Sequence, residues 1–205
     1  MNNWNRVADD SILEKTVAAL KVNGITSLVT DNAEEAKKRV LKLLPAGVEV
    51  MTMQSVTLRE TGIAAAIDES GDYKSIRREL SSMDRSTQGL EMQKLGAAPE
   101  WTVGSVHAVT QEGHLIIASN TGSQLGPYAY ASPHVVWVVG AQKIVKNLDE
   151  GIKRIYDYIL PLESKRLSKQ IGKEIQSNVS KLLIFNKEVV TGRATLVFVK
   201  KPLGF

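Results

Sequence analysis

TVGSVHAVTQEGHLIIASNTGSQLGPYAYASPHVVWVVGAQKIV, residues 102–145, alternates short apolar runs with two small, polar, glycine-bearing loops. VVWVV at 135–139 is β-branched and apolar at every position, the composition of a central parallel strand covered on both faces. LIIA at 115–118 reads the same way. The two runs are expected to be neighbours in one parallel sheet, with their loops meeting at one edge to form a pocket.

Outward from that stretch the chain keeps the rhythm of helices laid on a parallel sheet. Leu13, Val17 and Leu20 recur at helical spacing over 11–20, and Asn23-Gly24 is a helix stop. ITSLV at 25–29 is a strand. Asp31 or Asn32 caps a helix whose face is Ala36, Val40, Leu43 and Leu44, stopped by Pro45 and Gly47 before a strand over 48–51. Ser55 or Thr57 caps the next helix, and Thr57 with Glu60 has capping-box spacing. A place for both residues in a pocket is the competing reading, because helix starts after strands face ligands in such sheets. Residues 72–83 and 87–95 are helical but polar, with MDRSTQG between them read as a loop; the segment is a lid or a plain connection. Leu148, Ile152, Ile155, Ile159 and Leu160 mark a helix over 148–160 that Pro161 should end, and strands follow at 182–185 and 194–199. The expected whole is one domain over 1–205, with an N-terminal helical segment at about 1–23.

Composition narrows the function classes. At 43% hydrophobic and 23% charged, the chain has enough apolar residues for a full core. It has no cysteine, which excludes disulfides, thiolate metal sites, cysteine nucleophiles and self-held iron–sulfur clusters. MNNWNRVADD at the start carries no secretory signature, and no apolar run approaches the roughly 20 residues of a membrane helix. The cytoplasm is the expected location. The net charge of +4 is concentrated in residues 141–173, where eight basic side chains face four acidic ones. That is a solvated helix face or a basic surface; with no nucleic-acid motif, nucleic acid is not the expected partner.

The loops hold the candidate site residues. Ser119, Asn120, Thr121, Ser123 and Gln124 offer hydroxyls and amides around Gly122, a composition that makes either an anion-binding nest or an ordinary turn. The loop lacks the GxxxxGK[ST] and GxGxxG spacings. Lys143 falls just past the carboxyl end of VVWVV, where open α/β sheets place ligands; it is an anion partner there or the start of the basic helix face. Glu112, beside Gly113, is a general base or nucleophile if it lies in a pocket and a surface turn residue if not. His107, His114 and His134 have no metal-ligand spacing, no Ser/His/Asp arrangement is evident, and no cofactor is expected.

Taken together, GSVHAVTQEGHLIIASNTGSQLGPYAYASPHVVWVVGAQKIV, the following RIYDYILPLESKR, SVTLRETGI upstream and the closing LGF make the chain resemble the LUD-domain family, the lactate-utilisation proteins of the LutC/YkgG type (DUF162). The resemblance implies a Rossmann-like, mostly parallel sheet flanked by helices, as in the NagB/RpiA/CoA-transferase-like group. It implies a non-redox subunit or accessory protein in the oxidation of L-lactate to pyruvate, working beside iron–sulfur partner subunits. By similarity to the fold group, Glu112, Gly113 and the loop 119–124 would line a pocket for a small anionic ligand, a sugar phosphate or acyl-CoA type. A free-standing enzyme or binder for such a ligand is the alternative reading, and a homo-oligomer is compatible with both.

Overall fold

The computed structural model describes residues 4–205; of the helical segment expected at about 1–23, residues 1–3 lie outside that range. In chain order the first half runs α1 (Asp10–Val22), β1 (Thr26–Thr30), α2 (Ala33–Leu43), β2 (Glu49–Thr52), α3 (Val56–Glu60), α4 (Ile63–Asp68), β3 (Lys74–Ser75), α5 (Ile76–Ser82) and α6 (Arg85–Ala97). The second half runs β4 (Trp101–Gly104), β5 (Ala108–Thr110), β6 (Leu115–Ser119), β7 (His134–Gly140), β8 (Ile144–Val145), α7 (Leu148–Arg154), α8 (Leu160–Ile171), β9 (Lys181–Phe185) and β10 (Ala194–Val199).

Six strands form a parallel sheet in the order β1-β10-β7-β4-β2-β3. The period of two along β7 sorts its side chains between two cores. Val135, Trp137 and Val139 join Leu13, Leu20, Ile25, Leu196 and Phe198 on one face. Val136 and Val138 join Ala36, Val40, Leu58, Ile63, Ile67 and Val197 on the other. Asn32 is the cap of α2, its side chain accepting the Glu35 N–H at 3.0 Å.

LIIA does not lie in that sheet. Leu115–Ser119 pairs antiparallel with Ala108–Thr110 and with Lys181–Phe185, in a second sheet ordered β8-β5-β6-β9. Leu115 and Ile117 pack toward the main sheet, while Ile116 and Ala118 meet Ile155 and Ile159 of the helical layer outside. The run is apolar on both faces because it is sandwiched between a sheet and a helix. A buried antiparallel strand and a central parallel one therefore share a sequence pattern.

Two helical boundaries also depart from expectation. Most of MDRSTQG is helix: Asp84 caps α6 by accepting the Ser86 N–H at 2.9 Å, and only the turn before it is open. Pro161 does not stop the helix begun at Leu148. A π-helical turn, Ile155–Ile159, immediately precedes Leu160–Ile171, so the ladder is already widened where proline supplies no N–H.

Candidate functional site

Four parallel strands deliver their carboxyl ends to one place: β2 leads into α3, β4 into Ser105, β7 into the 3-10 turn Ala141–Lys143, and β10 into the C-terminal tail. β2 connects outward to β3, whereas β4, β7 and β10 step in the opposite direction across the sheet, so these ends meet where strand order reverses, the place at which open α/β sheets form a ligand crevice. Ser55 caps α3, accepting the Leu58 N–H at 3.4 Å, and Thr57 is turned inward and buried.

Lys143 is buried among these strand ends, only 2% exposed. Its ammonium donates to Thr57 Oγ1 at 3.0 Å, Ser105 Oγ at 3.2 Å and the Val106 carbonyl at 3.3 Å. All three partners are neutral. Burial and the positive charge of Arg154 push the Lys143 amine down to about 7, against a weaker opposing pull from Glu60. Lys143 is thus neither an exposed point charge nor the start of the basic helix face.

Arg154 is another buried cation, and its charge acts on Lys143. It is fully enclosed, donates from Nη1 to the His107 carbonyl at 2.7 Å and lies 5.3 Å from the centre of the Tyr158 ring, and its Nε has no partner. His107, half-buried just before β5, accepts the Ala118 N–H on Nδ1 at 3.1 Å, which leaves the ring proton on Nε2. Burial, Lys143 and Arg154 together hold that imidazole neutral, its pKa pushed down to about 3. The site therefore offers a polarised amine, two hydroxyls and a neutral imidazole in a positive field.

The C-terminal tail covers it. The Leu203 carbonyl accepts Thr57 Oγ1 at 3.3 Å and Gln142 Nε2 at 2.9 Å, and the Gly204 N–H donates to Glu60 at 2.6 Å. Gly204 has φ +59°, and a Cβ there would collide with the Thr57 hydroxyl, so the tail needs glycine to lie this close. Glu60 accordingly holds the tail; Ser55, not Thr57, caps the helix, and the expected Thr57–Glu60 capping box is absent. On the other flank Tyr128 donates to the Ser105 carbonyl at 3.4 Å, filling the space a side chain at Gly104 would need. Gln142 and Ile144, the neighbours of Lys143, line an adjoining groove of about 290 Å³ in which Arg6 and Lys146 are matched by Asp9 and Glu150.

Of the residues singled out from sequence, the fold brings Thr57, Glu60 and Lys143 together. Glu112 lies elsewhere: Lys143 contacts Ser105 and Val106 before β5, whereas Glu112 follows β5 and its side chain is 63% exposed, 4.0 Å from His114. The carbonyls of Glu112 and Gly113 accept Asn23 Nδ2 at 2.9 and 3.1 Å, so this turn anchors the end of α1. Glu112→Ala is expected to change stability by less than about 0.5 kcal/mol and to leave ligand-induced stabilisation intact in a thermal-shift titration.

The loop 119–124 leaves β6 at the end nearer Val106, but its polar groups are largely engaged locally. Ser119 Oγ accepts the Gly122 N–H at 2.8 Å and donates to Gln124 Oε1 at 2.9 Å, Gln124 Nε2 donates to the Ala118 carbonyl at 3.2 Å, and Thr121 Oγ1 meets Ser123 Oγ at 3.3 Å. Asn120 accepts from Ser180 at 3.1 Å. His134 stacks on Trp101, and among the described residues no group of three or more His, Asp or Glu side chains could hold a metal.

Ser105, His107 and Arg154 were missed from sequence. Ser105 carried a usable signal, since it follows the end of a strand directly. Arg154 was counted with the solvated basic residues, yet it lies one turn from the buried Gly151 and faces inward with it. Lys146, Lys153, Lys165, Lys169 and Lys173 are the exposed part of that segment. No helix among the described residues is long and apolar enough to cross a membrane.

Comparison with known proteins gives a concordant picture. The model of the LUD domain matches residues 13–173. A DUF162 family protein from Deinococcus radiodurans, 14% identical, superposes with a TM-score of 0.56 over 95% of this chain and 99% of its own, which establishes the shared fold. A second solved structure, eIF2B beta from Chaetomium thermophilum, is also 14% identical; its TM-score of 0.37 over 58% of this chain and 41% of its own carries no argument. No curated protein matches.

Proposed function

The chain belongs to the LUD-domain family, and on that premise we propose that it is a non-redox component of L-lactate oxidation to pyruvate, of the LutC type, acting in the cytoplasm. Its part is to hold a small 2-hydroxy or 2-oxo acid at Lys143. The family is associated with lactate utilisation, and a chain without cysteine leaves electron transfer to iron–sulfur partner subunits. The observation that carries the reading is the buried Lys143 ammonium, which has only neutral partners within the protein. An anionic ligand would supply a countercharge that Glu60, engaged with the Gly204 N–H, provides only weakly.

Thermal-shift titration with L-lactate, D-lactate and pyruvate tests the binding half. A ligand at 100 times its Kd should stabilise the fold by about 2.7 kcal/mol. Deletion of the gene should abolish growth on L-lactate, and the protein should co-purify with iron–sulfur subunits. Unchanged growth together with purification free of any partner would sink the role in lactate oxidation. A second reading is a free-standing enzyme or binder for a sugar phosphate or acyl-CoA, seated in the groove beside Gln142, whose lining has Arg6 and Lys146 together with the carboxylates of Asp9, paired to Arg6 at 3.2 Å, and Glu150. Stabilisation by those compounds, with none by 2-hydroxy or 2-oxo acids, would select it.

A further inference from the structure

We infer that Lys143 is a nucleophilic amine that forms an imine with the carbonyl carbon of a 2-oxo acid, with the Thr57 and Ser105 hydroxyls carrying the protons. This rests on the reading that the crevice holds a small 2-oxo acid, and extends it from binding to a covalent step.

The surroundings of Nζ favour an amine over a permanent cation. A lysine kept for charge is ordinarily matched by a carboxylate, whereas Lys143 touches two hydroxyls and one carbonyl and shares the interior with the buried Arg154. With its pKa near 7, about half of the amine is neutral at neutral pH. An ordinary lysine would be neutral in about one molecule in a few thousand. Desolvation beside another cation is a recognised route to a reactive lysine. The neutral amine keeps two N–H donors and gains a lone pair that a hydroxyl can meet. Ser105 Oγ lies 3.2 Å from Nζ and 3.5 Å from Thr57 Oγ1, so amine and hydroxyls form a continuous proton path.

The step balances without a redox partner. The Nζ lone pair attacks C2 of the ligand; the N–C bond forms and the carbonyl π electrons move to oxygen. The two amine protons pass to that oxygen through the hydroxyls, it leaves as water, and a C=N bond remains. Hydrolysis reverses each transfer. Burial, aided by the positive field of Arg154, favours the neutral amine, and that field attracts the ligand carboxylate. Leu203 and Gly204 rest on Thr57 and must release their hydrogen bonds to admit the ligand.

The test is reduction with borohydride in the presence of pyruvate, followed by peptide mapping by mass spectrometry. The expected product is a single reduced pyruvate adduct on Lys143, formed faster near pH 8 than near pH 6, slowed in Ser105→Ala and absent in Lys143→Arg. If Lys143→Arg fails to fold, the position of the adduct in the wild-type peptide map decides by itself. No adduct, or adducts spread over exposed lysines such as Lys153 and Lys169, overturns the proposal. Stabilisation by pyruvate without an adduct refutes the covalent step and leaves the binding reading standing. Neither stabilisation nor adduct refutes both.

Discussion

Lys143→Met is expected to make the protein more stable, by about 2–4 kcal/mol near pH 6, with the gain fading as the pH approaches 10. The lysine amine moves from 10.5 to about 7 on folding, a difference equivalent to on the order of 5 kcal/mol. Between those values the unfolded chain binds more protons than the folded one, so stability rises with pH across that window. Below about 7 both states are protonated and the full penalty of burying the charge is present. Methionine fills a similar volume without the charge. Its main loss is the three hydrogen bonds of Nζ, and Thr57 and Ser105 can partly replace theirs by pairing with each other, already at 3.5 Å. Urea denaturation of both proteins at several pH values measures the difference. Equal stability at every pH would mean that the lysine is not held at a cost. A residue kept against stability in this way belongs to function.

Glu188→Ala is expected to destabilise the fold by about 3–5 kcal/mol, the largest loss we expect from a single truncation away from the crevice. Glu188 and Arg193 form an ion pair at 2.6 Å with side chains 6% and 5% exposed. Arg193 also donates to the carbonyls of Ser132, Pro127 and Tyr128 at 2.8–3.0 Å, fixing the π-helical segment Pro127–Ala131 that carries Tyr128. Removing the carboxylate strands a buried guanidinium. It also frees the Val190 N–H that Glu188 accepts at 2.8 Å. Because Tyr128 walls Ser105, ligand binding should weaken along with stability. A urea midpoint that implies a loss below about 1 kcal/mol would contradict this assignment.

Much of the sheet was legible because period and composition act locally. VVWVV is recognisable as a doubly covered strand, and the residues that cap and stop α2 are adjacent to it in sequence. LIIA shows the limit. Burial on both faces says that two layers enclose a strand but not which layers, and the pairing of β6 with β9 closes over a separation that local pattern does not encode. Pro161 failed as a stop because the break was absorbed upstream in the π-helical turn, a cooperative adjustment of the whole helix.

The site was legible where strand ends announce it. Lys143 follows β7 and Thr57 follows β2, and the fold brings them to 3.0 Å. Arg154 and His107 were not legible as members. Arg154 matters because it is fully buried, and a basic residue in a basic segment gives no sign of facing inward; His107 matters through the Arg154 bond to its carbonyl. Glu60 shows the converse: its spacing from Thr57 matched a local cap, and its partner proved to be Gly204 at the far end of the chain.

Direct titration of the lysine amines, by NMR on protein labelled at lysine Cε, tests the central claim that Lys143 is a buried, easily deprotonated amine serving a 2-oxo acid. One resonance, lost in Lys143→Met, should titrate near 7, well apart from all the others. The same resonance should move on addition of pyruvate. A spectrum in which every lysine titrates above about 10, or in which pyruvate leaves the Lys143 resonance in place, would contradict it.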